Sequence, residues 1–151
     1  MPTITPFLWF DTQAEEAMNF YASIFKRSKV TSVNRAQGKV MSVQFELEGQ
    51  KFMALNAGPQ FKFTEAISFF VACGTQQEID DLWAKLTADG GAPSRCGWLK
   101  DKFGLSWQIV PNTLGRMLND KDPAKSKRVM NAMLQMGKLD LKWLQQAYNG
   151  E

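Results

Sequence analysis

The sequence predicts an α+β fold: two copies of a βαβββ unit, residues 1-57 and 66-111, joined by a linker at 58-65 and followed by a helical extension over 112-151. Three observations predict it. Two segments match without a gap at a spacing of 62 positions; in each, a short apolar run gives way to helical spacing; and after Asn112 strand patterning is replaced by helix caps and methionine-rich stripes. A chain of 151 residues makes one domain, or two half-size units that bury too little surface to be stable apart.

The first copy opens on Phe7-Leu8-Trp9-Phe10 and passes through Asp11-Thr12-Gln13 to Ala17, Phe20, Tyr21 and Ile24. The second opens on Phe69-Phe70-Val71-Ala72 and passes through Cys73-Gly74-Thr75 to Ile79, Leu82, Trp83 and Leu86. The last four residues of each set fall at i, i+3, i+4 and i+7, the buried stripe of an amphipathic helix, and Glu16 coincides with Glu78. Three strands follow in the first copy. Residues 29-34 alternate weakly, 40-47 alternate strongly with Val43, Phe45 and Leu47 on one face, and 52-55 follow a turn at Glu48-Gly49-Gln50-Lys51. In the second copy Asp89-Gly90-Gly91 stops the helix, and 94-99 and 105-110 read as strands around a turn at Lys100-Asp101-Lys102-Phe103-Gly104. This copy is shorter, with one hairpin strand missing or irregular. Phe61 and Phe63 make the linker unusually apolar, so they either plug a groove or form a lid over it, with plugging favoured.

In the tail, Asn112 or Thr113 starts a short helix. Asp122-Pro123 pairs a cap with proline at the first helical position and launches residues 124-136; Gly137 breaks that helix, and Asp140 caps a last one through Tyr148. Met117, Met130, Met133 and Met136, with Val129, Leu134, Leu141, Trp143 and Leu144, form apolar faces with no core of their own, suited to packing on the sheet or on a partner subunit.

Composition excludes several chemistries. Hydrophobic residues make up 44% and charged residues 22%, the balance of a soluble globular protein. No apolar run approaches the roughly 20 residues that cross a bilayer, and the N-terminus carries no secretory pattern, so the expected location is cytoplasmic. Eighteen basic and 15 acidic residues give +3, too mild and too interspersed for a nucleic-acid reader; the stretch Lys121, Lys125, Lys127 and Arg128 reads as a solvated helix face. Cys73 and Cys96 lie in apolar surroundings and read as reduced packing residues. There is no histidine, which removes serine-histidine and cysteine-histidine nucleophiles, histidine bases and histidine-held metals.

Alternation assigns faces, because strand residues two apart point the same way. Phe7 and Trp9, Phe52 and Ala54, Phe69 and Val71, and Leu105, Trp107 and Ile109 are expected under the helices. The opposite face then takes Pro6, Leu8 and Phe10, Met53 and Leu55, Ser68 and Phe70, and Ser106, Gln108 and Val110, with Trp98 as a stacking wall. An apolar face with a few hydroxyls and an amide suits a small organic ligand, unless the chain's own side chains or the tail fill it. The candidate groove is therefore Pro6, Leu8, Met53, Ser68, Phe70, Trp98 and Gln108.

The stretch from Cys96 to Pro111, Cys-Gly-Trp-Leu-Lys-Asp-Lys-Phe-Gly-Leu-Ser-Trp-Gln-Ile-Val-Pro, resembles the hallmark of the PhnB-like group, which carries the domain name 3-demethylubiquinone-9 3-methyltransferase. Pro6-Phe7-Leu8-Trp9-Phe10 with Ala14-Glu15-Glu16-Ala17 and Phe20-Tyr21 is similar to its first strand and helix, and the tail from Asn119 to Asp140 also resembles it. The resemblance implies the paired, curled βαβββ architecture of the vicinal-oxygen-chelate superfamily, with its glyoxalase, bleomycin-resistance and dioxygenase members. It also implies a homodimer, in some members with exchanged units. The positions that carry metal ligands in glyoxalases fall here at Pro6, Met53, Ser68 and Gln108, a set that implies no metal in this chain. No glycine-rich turn follows a first strand, so methyl transfer from S-adenosylmethionine gains no local support and no cofactor is expected.

Two functions remain open on these grounds. One is a binding or sequestering protein for a small apolar or aromatic molecule. The other is a metal-independent enzyme on a quinone-like or aromatic substrate, with Glu46, Glu48, Asp101 or Cys96 handling protons, although strand-edge solubility, turn formation and packing each explain those residues without catalysis.

Overall fold

The computed structural model describes residues 1–151, in two compact units, Met1–Lys62 and Phe63–Glu151. No helix is long and apolar enough to cross a membrane.

Unit 1 contains β1 (Phe7–Phe10), α1 (Ala14–Ile24), β2 (Ser28–Ala36), β3 (Lys39–Leu47) and β4 (Gln50–Asn56). The sheet order is β1-β4-β3-β2, with β1 parallel to β4 and the other pairs antiparallel. Both hairpins close on two residues, Gln37-Gly38 and Glu48-Gly49, all four with positive φ, the backbone hand that matches strand twist. The turn at 48 is thus tighter than the four residues expected, and β4 begins at Gln50. Phe45 and Phe52 stack across β3 and β4 with centroids 5.4 Å apart, and Tyr21 of α1 lies 6.4 Å from Phe45, which identifies the covered face. Gln13 does not cap α1 with its side chain; instead the Ala14 amide donates to Asn56 Oδ1 at 2.8 Å, tying the helix start to the end of β4.

Unit 2 contains β5 (Ser68–Cys73), α2 (Gln76–Thr87), β6 (Ala92–Pro93), β7 (Trp98–Lys100) and β8 (Ser106–Pro111), in the order β5-β8-β7-β6 with β5 parallel to β8. Thr75 Oγ1 accepts from the Glu78 amide at 3.2 Å and caps α2. The strand expected at 94-99 starts only at Trp98. Cys96 and Gly97 take left-handed conformations, φ 57° and 86°, and their amides donate to the Met136 and Gly137 carbonyls of the tail, not to a neighbouring strand. What remains of the irregular hairpin strand is the two-residue β6.

The tail forms α3 (Leu114–Leu118), α4 (Pro123–Leu134) and α5 (Leu141–Asn149). Asp122 and Asp140 cap as expected, accepting from Ala124 N at 3.0 Å and Trp143 N at 2.9 Å. The expectation that these helices lack a core is corrected: Leu114, Met117, Val129, Ala132, Met136, Leu139 and Leu144 bury one another together with Val110 at the end of β8. Each buried leucine, valine or methionine among them contributes about 1.5–3 kcal/mol relative to exposure. Gln76 fastens the tail to α2, its amide nitrogen donating to Leu139 O at 3.0 Å and its oxygen accepting from Leu141 N at 2.7 Å.

Candidate functional site

In unit 2, Phe69 and Val71 of β5 stand beside Trp107 and Ile109 of β8, and Leu99 of β7 beside Trp107, forming the buried face with Ile79 and Leu86 of α2. The residues between them point the other way. Phe70, Gln108 and Trp98 form one row across β5, β8 and β7, and Ser68, Ser106 and Lys100 form the next. The sequence placed Ser68, Phe70, Trp98 and Gln108 on one face, and the structure brings these four together. Gln108 Nε2 donates to Ser68 Oγ at 2.9 Å. Phe70 is 61% exposed, whereas Ser106 is 1% exposed and its hydroxyl has no partner. The outcome is a short polar track beside an aromatic row.

Unit 1 departs from the expected faces. Leu8 and Phe10 are buried, Leu8 in register with Ala54, so both lie on the face that α1 covers. Phe7 and Trp9 lie on the opposite face, Phe7 beside Met53 and Trp9 beside Leu55. Leu8 is therefore no groove residue. The cause is a one-residue slip: Phe7 pairs with Met53 as Phe70 pairs with Gln108, which matches the first strands at 63 positions instead of 62. By that match Thr5, not Pro6, is the counterpart of Ser68; the Pro6 carbonyl accepts from the Met53 amide at 3.0 Å. The rows of this open face run Phe7, Met53, Gln44, Ser32 and Trp9, Leu55, Ser42, Asn34. Phe61 stands edge-on against Trp9 with centroids 4.9 Å apart while 66% exposed, and Trp9 Nε1 donates to Gly58 O at 2.9 Å. Phe7 and Trp9 escaped the sequence reading; the signal available for them was the extra residue between β1 and α1.

Two of the four proton-handling candidates, Asp101 and Glu48, have their carboxylates engaged elsewhere. Asp101 is 2% exposed and accepts from Phe103 N, Leu105 N and Trp107 Nε1. Glu48 accepts from the Arg27 amide and Nε at 3.0 and 2.9 Å, and the Arg27 amide above all holds its carboxyl below the usual value. Glu46 stands between Lys29 and Lys51 in the sheet. Cys96 sits in the tail-bonded turn, and Cys73 is buried, with burial pushing its thiol up to about 11. No three His, Cys, Asp or Glu side chains converge as metal ligands. Pro6 offers no side-chain donor and Thr5, which takes its place in the structural match, only a neutral hydroxyl; Met53 offers a thioether, and Ser68 and Gln108 bond each other, a donor set that does not fit a hard or borderline divalent ion.

Among solved structures, the chain is 39% identical to a putative 3-demethylubiquinone-9 3-methyltransferase, a PhnB protein from Bacillus cereus, with a TM-score of 0.68 over 73% of this chain and 99% of that one. It shares its fold with a fosfomycin resistance protein from Listeria monocytogenes solved with Mn(II) and sulfate, at 13% identity and a TM-score of 0.54 over 78% of this chain and 96% of that one. A glyoxylase/bleomycin resistance protein/dioxygenase domain from a Frankia species is similar at 12% identity and a TM-score of 0.50, over 72% and 90% of the two chains. None of the curated proteins matches. The family model described as 3-demethylubiquinone-9 3-methyltransferase matches residues 2–110, which leaves α3 to α5 beyond it. The chain belongs to that family, the 3-demethylubiquinone-9 3-methyltransferase domain family of PhnB-like proteins.

Proposed function

We propose that the protein binds a small apolar or aromatic molecule against the open face of the unit 2 sheet, without a metal ion. The observation that carries this reading is the row of Phe70, Gln108 and Trp98 beside the Ser68 and Ser106 hydroxyls: apolar area for burial next to a few polar groups that fix orientation. The Gln108 to Ser68 hydrogen bond supports a metal-free groove, since it joins two of the four positions that hold ligands in glyoxalases. An enzyme acting on a quinone-like or aromatic substrate finds less support, because the Asp101 carboxylate is committed to a turn and that of Glu48 to an ion pair. The same proposal has two copies assemble, with or without exchanged units. Met130 and Leu134, one turn apart on α4 and 40% and 51% exposed, supply apolar surface for such a contact.

Calorimetric titration with a neutral aromatic amide, 2-naphthamide, tests the groove. Saturable binding is expected, unchanged by a chelator, weakened by Gln108→Leu, and with the probe recovered unmodified. Binding that disappears on chelation, or chemical conversion of the probe, would overturn the reading.

A further inference from the structure

The sheet order β5-β8-β7 places Lys100 of β7 and the segment entering β5 on opposite sides of β8. Glu65, three residues before Ser68, nevertheless forms an ion pair with Lys100. Lys100 stands in register with Ser106, and Ser106 with Ser68, so the pair crosses β8 on the open face at the level of Ser106. Ser106 itself is 1% exposed, and its hydroxyl lies without a partner. Leaving a buried hydroxyl unbonded is unfavourable, and a group that accepts its proton relieves the penalty. Ser68 accepts from Gln108 Nε2, which leaves its own proton to donate. One cation and two hydroxyl donors thus form a row, and the aromatic row of Phe70 and Trp98 lies two residues along, about 7 Å away in strand geometry.

We propose that this face takes an aromatic carboxylate, with its ring against Phe70 and Trp98 and its carboxylate at Lys100, Ser106 and Ser68, and that Glu65 is a built-in carboxylate which holds this place until the ligand displaces it. The proposal rests on the groove reading above and specifies the charge of the ligand. The exchange is easy in one direction: the side chains of Lys100 and Glu65 are 47% and 57% exposed, and exposed ion pairs add little stability, whereas the incoming acid also buries its ring. The Lys100 ammonium holds the Glu65 carboxyl below its usual value, so Glu65 competes as an anion at neutral pH.

Calorimetric titration of the full chain with 2-naphthoate and 2-naphthamide, in the wild type and in the Glu65→Gln, Lys100→Met and Lys100→Arg variants, tests it, with melting curves to confirm folding. The wild type is expected to bind naphthoate more tightly than naphthamide. Glu65→Gln should tighten naphthoate about threefold, and Lys100→Met should weaken it about tenfold, while Lys100→Arg retains it and naphthamide is indifferent to all three. Equal binding of the two probes in every variant overturns the carboxylate proposal and leaves the groove standing. Failure of both probes to bind the wild type overturns both.

Discussion

The indole Nε1 of Trp107 donates to Oδ2 of Asp101 across 2.9 Å, and both side chains are buried. The other carboxylate oxygen accepts from the amides of Phe103 and Leu105 at 2.9 and 3.1 Å, so one side chain satisfies three donors in the β7 to β8 turn. Asp101→Ala leaves the buried indole nitrogen and amides unbonded and should cost about 3 kcal/mol in urea unfolding. Asp101→Asn, which keeps an acceptor oxygen, should cost less. If the Ala variant unfolds at the wild-type midpoint, Asp101 is not the post that holds this turn.

Tyr148 at the end of α5 donates to Asp120 Oδ2 at 2.6 Å, while Arg128 donates to the Ala147 and Tyr148 carbonyls. The Tyr148 hydroxyl above all holds the Asp120 carboxyl below its usual value, and the same bond holds the Tyr148 phenol above its own. Folding therefore favours an ionised Asp120 and a protonated Tyr148. The carboxylate's contribution is present above its unfolded value of 3.8 and is lost as pH falls through the lower folded value; the phenol's is present below 10.0 and is lost as pH rises through the higher folded value. Tyr148→Phe should lower the melting temperature slightly at pH 7, and the gap to wild type should close once the pH is below the folded carboxyl value. A gap that persists in acid would assign the effect to packing of the ring.

The helices were legible in the sequence because repeat and stripe describe the same residues: Ala17 and Ile79, and Ile24 and Leu86, are buried pairs 62 positions apart. The strand faces of unit 2 were legible because alternation in β5 and β8 was judged in their own register. Those of β1 were not, since three residues separate Phe10 from α1 and only two separate Cys73 from α2. A connecting residue carries no apolar signal, yet one residue inverts a strand. The turn at Cys96 and Gly97 depends on carbonyls 40 positions later in the chain, and the Glu65 to Lys100 pair depends on sheet order. Neither leaves a local pattern to read.

The inverted strand makes a direct prediction about two neighbours. Leu8 is 6% exposed and packs beside Ala54 under α1, whereas Phe7 is 53% exposed beside Met53. Leu8→Ala opens a cavity in a core that α1 and the sheet cannot both collapse to fill, and should cost about 3 kcal/mol in urea unfolding. Phe7→Ala removes the larger side chain but from the solvent side of the sheet, and should change the stability of the monomeric chain by no more than about 0.5 kcal/mol. Ordinary hydrophobicity ranks the two losses the other way, because phenylalanine carries more apolar area than leucine. A greater loss for Phe7→Ala than for Leu8→Ala would therefore return Leu8 to the open face and restore the match at 62 positions.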